Sequence, residues 1–207
     1  MAVTEDSVLF TIMILSIPSR LDKLKELYTR LEEQIGDRTD VEILTLVDNK
    51  SMTIGEKRNM VLQSARGKFV ACLDDDDTIS DDYIEKICDN LSDEVDVLCF
   101  EQHCSINGQE CMVSFDMRHE GNEQLGRNAD GSLKDMKRLP WHMCVWNSEI
   151  AKDTPFQSSS YGEDWDWCSR MIPRVKRQVK LFDTLHYYQY NDETSESIQY
   201  QTNPSGV

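Results

Sequence analysis

The feature that most constrains this chain is the alternation of strand-length apolar runs with helix-spaced ones along its first half. Residues 8–17 form a nearly continuous apolar run that includes Phe10, Ile12, Ile14 and Leu15. Apolar side chains at both odd and even positions mark a strand covered on both faces. Pro18 and Ser19 end it. Over residues 21–35, Leu21, Leu24, Leu27, Tyr28, Leu31 and Ile35 recur at helical spacing, and Gly36 stops the pattern. A second apolar strand is predicted over residues 41–47, ending at Asp48 and Asn49. After a loop at 50–55, a helix is expected over 56–65, closed by Arg66 and Gly67. A third strand, 68–73, runs directly into Asp74. A helix over 81–91, with Ser80 as its N-cap, and a fourth strand over 95–100 complete the series. This β-α-β-α-β-α-β order predicts an α/β fold with a parallel, doubly wound sheet and right-handed crossovers. Ligands of such sheets bind at the carboxyl ends of the strands, which puts Asp48 and the aspartates that follow residue 73 near one another.

The second half is less regular. Residues 101–136 read as hairpins and a long loop, with a strand-like piece at 112–115 and a polar, glycine-bearing stretch at 121–131. Residues 141–146 are dense in aromatics, 164–172 are helix-like up to Pro173, and 181–190 form one more strand. The tail after Ser197 is polar, either frayed or the start of a linker. A length of 207 residues suits one domain that buries its core without disulfides.

A formal charge of −16 argues against a nucleic-acid partner, whose phosphates call for a basic face. It also means that a phosphate-bearing substrate needs a metal ion or a few well-placed Lys and Arg side chains. The seven cysteines are odd in number and contain no C-x-x-C pair, so neither a disulfide framework nor a closed zinc site is expected. Lying among apolar residues, they read as buried, reduced thiols suited to a cytoplasmic protein. Glu5 and Asp6 precede a first apolar run of only strand length, so no signal peptide and no membrane span is expected.

Two motifs carry chemistry. In the first, Phe69-Val70-Ala71-Cys72-Leu73 delivers Asp74, Asp75, Asp76 and Asp77 at the end of a buried strand. Four adjacent carboxylates repel one another, and hard cations such as Mg2+ or Mn2+ relieve that repulsion through oxygen ligands. A solvated acidic turn capping the next helix is the plainer alternative, and Asp77, Asp81 and Asp82 fit it. In the second motif, Tyr161-Gly162-Glu163-Asp164-Trp165-Asp166-Trp167 interleaves acids with large aromatics, and Arg170 follows. Such a stretch can shield a site, stack on a sugar ring and take a hydroxyl proton. It can equally be an acidic helix start with aromatic core anchors.

In order and spacing these pieces resemble the GT-A nucleotide-diphospho-sugar transferases, in particular family 2, over roughly residues 8–197. The matching pieces are Ser16-Ile17-Pro18-Ser19-Arg20 at the first turn, Asp48 after the second strand, and Gly55-Glu56-Lys57-Arg58-Asn59 with Ala65-Arg66-Gly67. Further on come the D-x-D run at Asp74, then Glu163-Asp164 with Arg170, and last Tyr187-Tyr188-Gln189-Tyr190 with Ser195-Glu196-Ser197. The chain departs from the family where Asn49-Lys50-Ser51 stand in place of Asp-Gly-Ser, and where Gln189 and Asn191 stand in place of an Arg and a His. Its shortness resembles compact viral or bacterial members, such as those of large algal viruses.

The resemblance implies a metal-dependent glycosyltransferase that moves a sugar from a nucleotide sugar, a UDP-sugar by family frequency, to a glycan or other hydroxyl acceptor. It implies a single GT-A domain with a nucleotide-binding half at 1–100, an acceptor-side half at 101–197 and a tail at 198–207. Asp76 is then the ligand of Mn2+ or Mg2+, with His186 as a candidate to complete the shell. Ile17, Pro18, Arg20, Asp48, Lys57, Arg58, Asp74 and Asp75 are the candidate nucleotide contacts. Asp164 is the candidate catalytic base, and Trp141, His142, Trp146 and Glu163 are candidates for the acceptor and sugar side. Three rival readings remain. A phosphatase of the haloacid dehalogenase type also carries D-x-D-x-T after a strand, as Asp74 to Thr78 do here, but normally on the first strand. A GT-A-like module that only binds a cation, sugar or protein is the second. A nucleotidyltransferase is the third, and residues 16–20 lack its glycine-rich basic loop.

Overall fold

A computed structural model describes residues 7–192. Glu5 and Asp6, the stretch Ser195-Glu196-Ser197 and the tail at 198–207 lie outside the described residues. Strand β1 (Phe10–Ser16) is buried at nearly every position because it has a parallel neighbour on each side, β2 (Val41–Val47) and β3 (Phe69–Asp74). The register pairs Ser16 with Val47 and Leu15 with Asp74, so the three carboxyl ends finish at one level.

Between β1 and β2, a short 3-10 turn at Pro18–Arg20 leads into α1 (Leu21–Ile35). This helix buries Leu24, Leu27 and Leu31, one stripe of the predicted face. Gly36 ends it at φ +52°, in the left-handed half of the map where a side chain is strained. Helix α2 (Ile54–Ser64) starts two residues earlier than expected. A capping box explains this: the Thr53 side chain accepts from the Glu56 N–H while Glu56 accepts from the Thr53 N–H. Strand β4 (Thr78–Ile79) and helix α3 (Tyr83–Asn90) follow β3. Ser80 is not the cap of α3. Asp82 occupies that position, and the Ser80 hydroxyl donates to the Asp82 carboxylate at 2.7 Å.

Beyond α3 the sheet is mixed rather than parallel. Strand β5 (Val97–Ile106) turns tightly through Asn107 and Gly108, both at positive φ, into β6 (Gln109–Phe115). The edge of β3 away from β1 carries β8 (Val145–Asn147), which runs antiparallel to both β3 and β5. Strand β7 (Met136–Arg138) lies parallel beside β6, and β9 (Gln178–Tyr190) lies parallel along β5 and antiparallel to β4.

Helices α4 (Ser148–Lys152) and α5 (Glu163–Met171) pack near α2, whereas α1 and α3 pack together. Trp146 and Trp167 meet edge to face at 5.6 Å, and Phe156 stacks on Trp167 at 4.4 Å. All seven cysteines are buried thiols. Burial pushes Cys72 up to about 12, which keeps it protonated and apolar in character. No helix among the described residues is long and apolar enough to cross a membrane.

Candidate active site

The common level of the three strand ends sets the floor of the site. Asp48 sits just past β2, its N–H donating to the Ser16 carbonyl at 3.3 Å. One oxygen of its carboxylate accepts from the N–H groups of Ser51 and Met52, and the other from Lys57 Nζ at 2.7 Å. Burial pulls this carboxyl upward, but the Lys57 and backbone hydrogen bonds outweigh it and hold the group at about 2. Asp48 therefore shapes the 48–52 loop, and Lys57 is spent on Asp48 rather than on the acidic cluster.

The four aspartates divide their work. Asp77 turns the chain back, its N–H donating to the Asp74 carbonyl at 3.1 Å. Its carboxylate is 2.9 Å from His186 Nε2, and Gln102 meets the other nitrogen of that ring at 2.9 Å. Asp75 is buried under Ser16, which donates to it at 2.6 Å, and Arg20, which donates at 2.8 Å. The second nitrogen of Arg20 reaches Asp76 at 2.7 Å, and Lys23 lies 3.7 Å from the same oxygen. Burial raises Asp75 and Asp76 above the usual carboxylate range, and for both the neighbouring aspartates add to the effect while Arg20 opposes it. Asp74 is more open. Burial works against its charge too, but His142 and Arg58 more than compensate and hold it well below the ordinary range.

Asp76 is a carboxylate at a partly exposed position, crowded by like charge and already paired with Arg20 and Lys23. His186 is closed to a cation, because both ring nitrogens are engaged and only 1% of the residue is exposed. Its expected place beside Asp76 is corrected to a buried strut between Asp77 and Gln102. Among the described residues no group of three or more His, Cys, Asp or Glu side chains is arranged to cage a metal. A divalent cation at Asp76 would therefore complete its shell with water and substrate oxygens, the usual habit of Mg2+.

Segment 55–59 of α2 joins the two halves of the site. Gly55 lies so close to the 157–159 loop that an added Cβ would stand 1.7 Å from the Gln157 carbonyl oxygen. Asn59 grips the backbone of Phe156 in both directions, at 2.9 and 2.8 Å. Between them, buried Arg58 lies over the Phe156 ring, 3.4 Å from Asp74 and 3.5 Å from Glu163. Burial disfavours its charge, yet the surrounding carboxylates hold the guanidinium above its ordinary range.

Gly162 at φ +75° caps α5 and turns Glu163 and Asp164 into its first turn. Glu163 is buried and raised by that burial, with Arg58 pulling the other way. Asp164 is partly exposed, and its Oδ2 lies 3.6 Å from His142 Nδ1. His142 Nε2 in turn lies 3.8 Å from Asp74. The exposed rings of Tyr161 and Trp165 flank this acidic turn in the chain.

Asp74, Arg58, Glu163, His142 and Asp164 thus form one contiguous centre, with Asp75, Asp76 and Arg20 adjoining it through the cluster. Ile17 and Pro18 form the turn that delivers Arg20. Trp141 packs half-buried against the core beside His142. Trp146 is no part of an acceptor wall: it is fully buried against Trp167, and its indole donates to the Trp141 carbonyl at 3.0 Å. Ser16 under Asp75 and Asn59 on Phe156 belong to motif stretches matched in the sequence but given no role there, whereas Lys23 at Asp76 and Gln102 on His186 carry no such signal. The Asn59 contact, at least, had a signal in the G-x-x-R-N spacing.

Comparison with known proteins bears on the same residues. Residues 21–110 match the family model described as Glycosyl transferase family 2, a stretch that holds Asp48, Arg58 and all four clustered aspartates. No curated protein matches the chain. The fold is the GT-A fold, as in crystal structures of S. aureus TarS. One covers 97% of this chain and 40% of that one, at TM-score 0.64 and 14% identity. TarS 1–349 in complex with UDP-GlcNAc covers 89% of this chain and 59% of that one, at TM-score 0.63 and 15% identity. The complex of TarS 1–349 with UDP gives 90%, 62%, 0.63 and 17% in the same order. The chain therefore spans between 40% and 62% of the length of these TarS chains.

Proposed function

We propose that the chain is a glycosyltransferase that moves a sugar from a UDP-sugar to a hydroxyl group of a glycan or similar acceptor, with a divalent cation at Asp76. One observation carries this reading: the open carboxylate of Asp74 at the end of β3 and the partly exposed Asp164 share one network with buried Arg58, His142 and Glu163. The match of residues 21–110 to Glycosyl transferase family 2 and the UDP and UDP-GlcNAc complexes of TarS favour a nucleotide sugar as the donor.

The residues then take distinct parts. Asp76 would hold Mn2+ or Mg2+, which would supply positive charge to neutralise a leaving diphosphate. Asp76 holds the ion while Asp75, fixed by Ser16 and Arg20, keeps the turn in shape. Arg20 and Lys23 lie beside the same carboxylate and would offer positive charge to the phosphates there. Asp74 faces the ribose side, and Asp48 fixes the loop that borders the base. Asp164 accepts the proton of the attacking acceptor hydroxyl, and Glu163, held by Arg58, sets the start of α5 so that this carboxylate faces the centre.

The test is release of UDP from UDP-sugars in the presence of Mn2+ and a panel of hydroxyl acceptors. Asp164→Asn keeps the shape of the side chain and removes its basicity. It should lower kcat by about 10²- to 10⁴-fold, the usual worth of a general base, while UDP still binds. Turnover unchanged by Asp164→Asn would remove Asp164 from the proposed chemistry.

A further inference from the structure

We infer that His142 is a positioning residue that holds Asp164 in register with the end of β3; the kinetic part of this inference rests on the glycosyltransferase reading. The His142 backbone is fixed to β3, because its carbonyl accepts from the Cys72 N–H at 3.1 Å, two residues before Asp74. A turn closes behind it, with the Cys144 N–H donating to the Trp141 carbonyl at 3.0 Å. The ring has little freedom, being 7% exposed and packed beside Trp141.

Its two nitrogens face two carboxylates on different elements. Nε2 is 3.8 Å from Asp74 on β3, and Nδ1 is 3.6 Å from Asp164 on α5. Nδ1 is buried without a hydrogen-bond partner. Leaving a buried polar atom unsatisfied is unfavourable, so a small approach of Asp164 that completes the bond is favoured. The other oxygen of Asp164 already accepts from the Trp165 N–H at 2.7 Å, which leaves Oδ2 as the oxygen turned toward the imidazole. Bonds in a site without its ligand are often long and tighten when substrate closes it. His142 therefore spans from the first aspartate of the cluster to the proposed base, within 4 Å of both. Arg58 and Glu163 are the other charged groups of this centre, and they pair with each other at 3.5 Å.

The two amide side chains separate the two nitrogens. In His142→Asn the amide nitrogen stands where Nδ1 does, toward Asp164. In His142→Gln it stands where Nε2 does, toward Asp74. The inference predicts that kcat falls about 100-fold further in His142→Gln than in His142→Asn, the effect of misplacing a reacting group by about 1 Å. Loss of the Asp74 contact in His142→Asn shows in the KM for the UDP-sugar and not in this difference of kcat, and thermal melting confirms that both variants fold. Equal kcat in the two variants, or a loss confined to KM, overturns the inference. If the wild-type chain transfers no sugar at all, the glycosyltransferase reading fails instead. Crystal structures of the two variants then decide the positioning role: the Asp164 rotamer is kept in His142→Asn and lost in His142→Gln, and the same rotamer in both overturns it.

Discussion

Lys57 and Arg58 are neighbours on α2, both are buried, and each is held by different carboxylates. Lys57 is a point charge and satisfies one partner, Asp48, at 2.7 Å. Arg58 is planar and forked, and it spans Asp74 and Glu163 from a position neither could share with an ammonium group. For Asp48 the hydrogen bonds outweigh desolvation, and this has a consequence for stability against pH. Its folded value of about 2 lies below the 3.8 of a free aspartate. A group depressed on folding stabilises fully above its unfolded value and loses that stabilisation as pH falls through the folded one. Asp48→Asn should therefore be less stable than wild type near neutrality, and the gap should narrow between about pH 4 and about pH 2. Urea unfolding across that range measures it; a gap independent of pH would show that the Asp48 carboxylate contributes nothing through its charge.

Helix α2 is the element on which the site turns, because it touches both the floor and the 156–160 segment. The Gly55 N–H donates to the Ser159 carbonyl at 2.9 Å, and a methyl group there would overlap the Gln157 carbonyl. Gly55→Ala should cost about 1–3 kcal/mol in unfolding free energy, as overpacking does, and should lower turnover by shifting the start of α5. Unchanged melting and turnover would mean that the loop and helix are not locked together as described.

Legibility in the sequence follows element length and the range of the contacts. Helix α1 and strand β2 were readable to the residue, because long periodic runs and Gly36 punctuate them. The start of α2 at Ile54 is harder to place, because the capping box Thr53-x-x-Glu56 resembles a loop followed by a first turn. The Asn107-Gly108 hairpin had a clear local signal that was not used. Strand β8 had almost none: three residues cannot show a period, yet it takes the edge of β3 and makes the sheet mixed. The carboxylate cluster was legible because it is contiguous. The His142 contact with Asp164 was not, since it joins residues from separate elements, and His186 looked like a ligand only until Gln102 appeared beside it.

Across the whole molecule, a chain with a net charge of −16 places Asp74, Asp75, Asp76, Asp77, Glu163 and Asp164 at one centre, where Arg20, Lys23 and Arg58 each already lie against a carboxylate. An anionic diphosphate entering there faces Asp74 and Asp76 together with Arg20 and Lys23, whose charge those carboxylates already offset, so binding without a metal ion is electrostatically opposed. A cation at Asp76 reverses that sign locally. The most direct measurement is thermal melting with UDP, with Mn2+, and with both, on wild type and Asp76→Asn. A ligand bound only by the folded state raises its stability by about 2.7 kcal/mol at a hundred times its Kd. The account predicts a rise in Tm from UDP only when Mn2+ is present, and no such rise in Asp76→Asn. An equal rise without Mn2+, or in Asp76→Asn, or no rise in wild type under any condition, would contradict it.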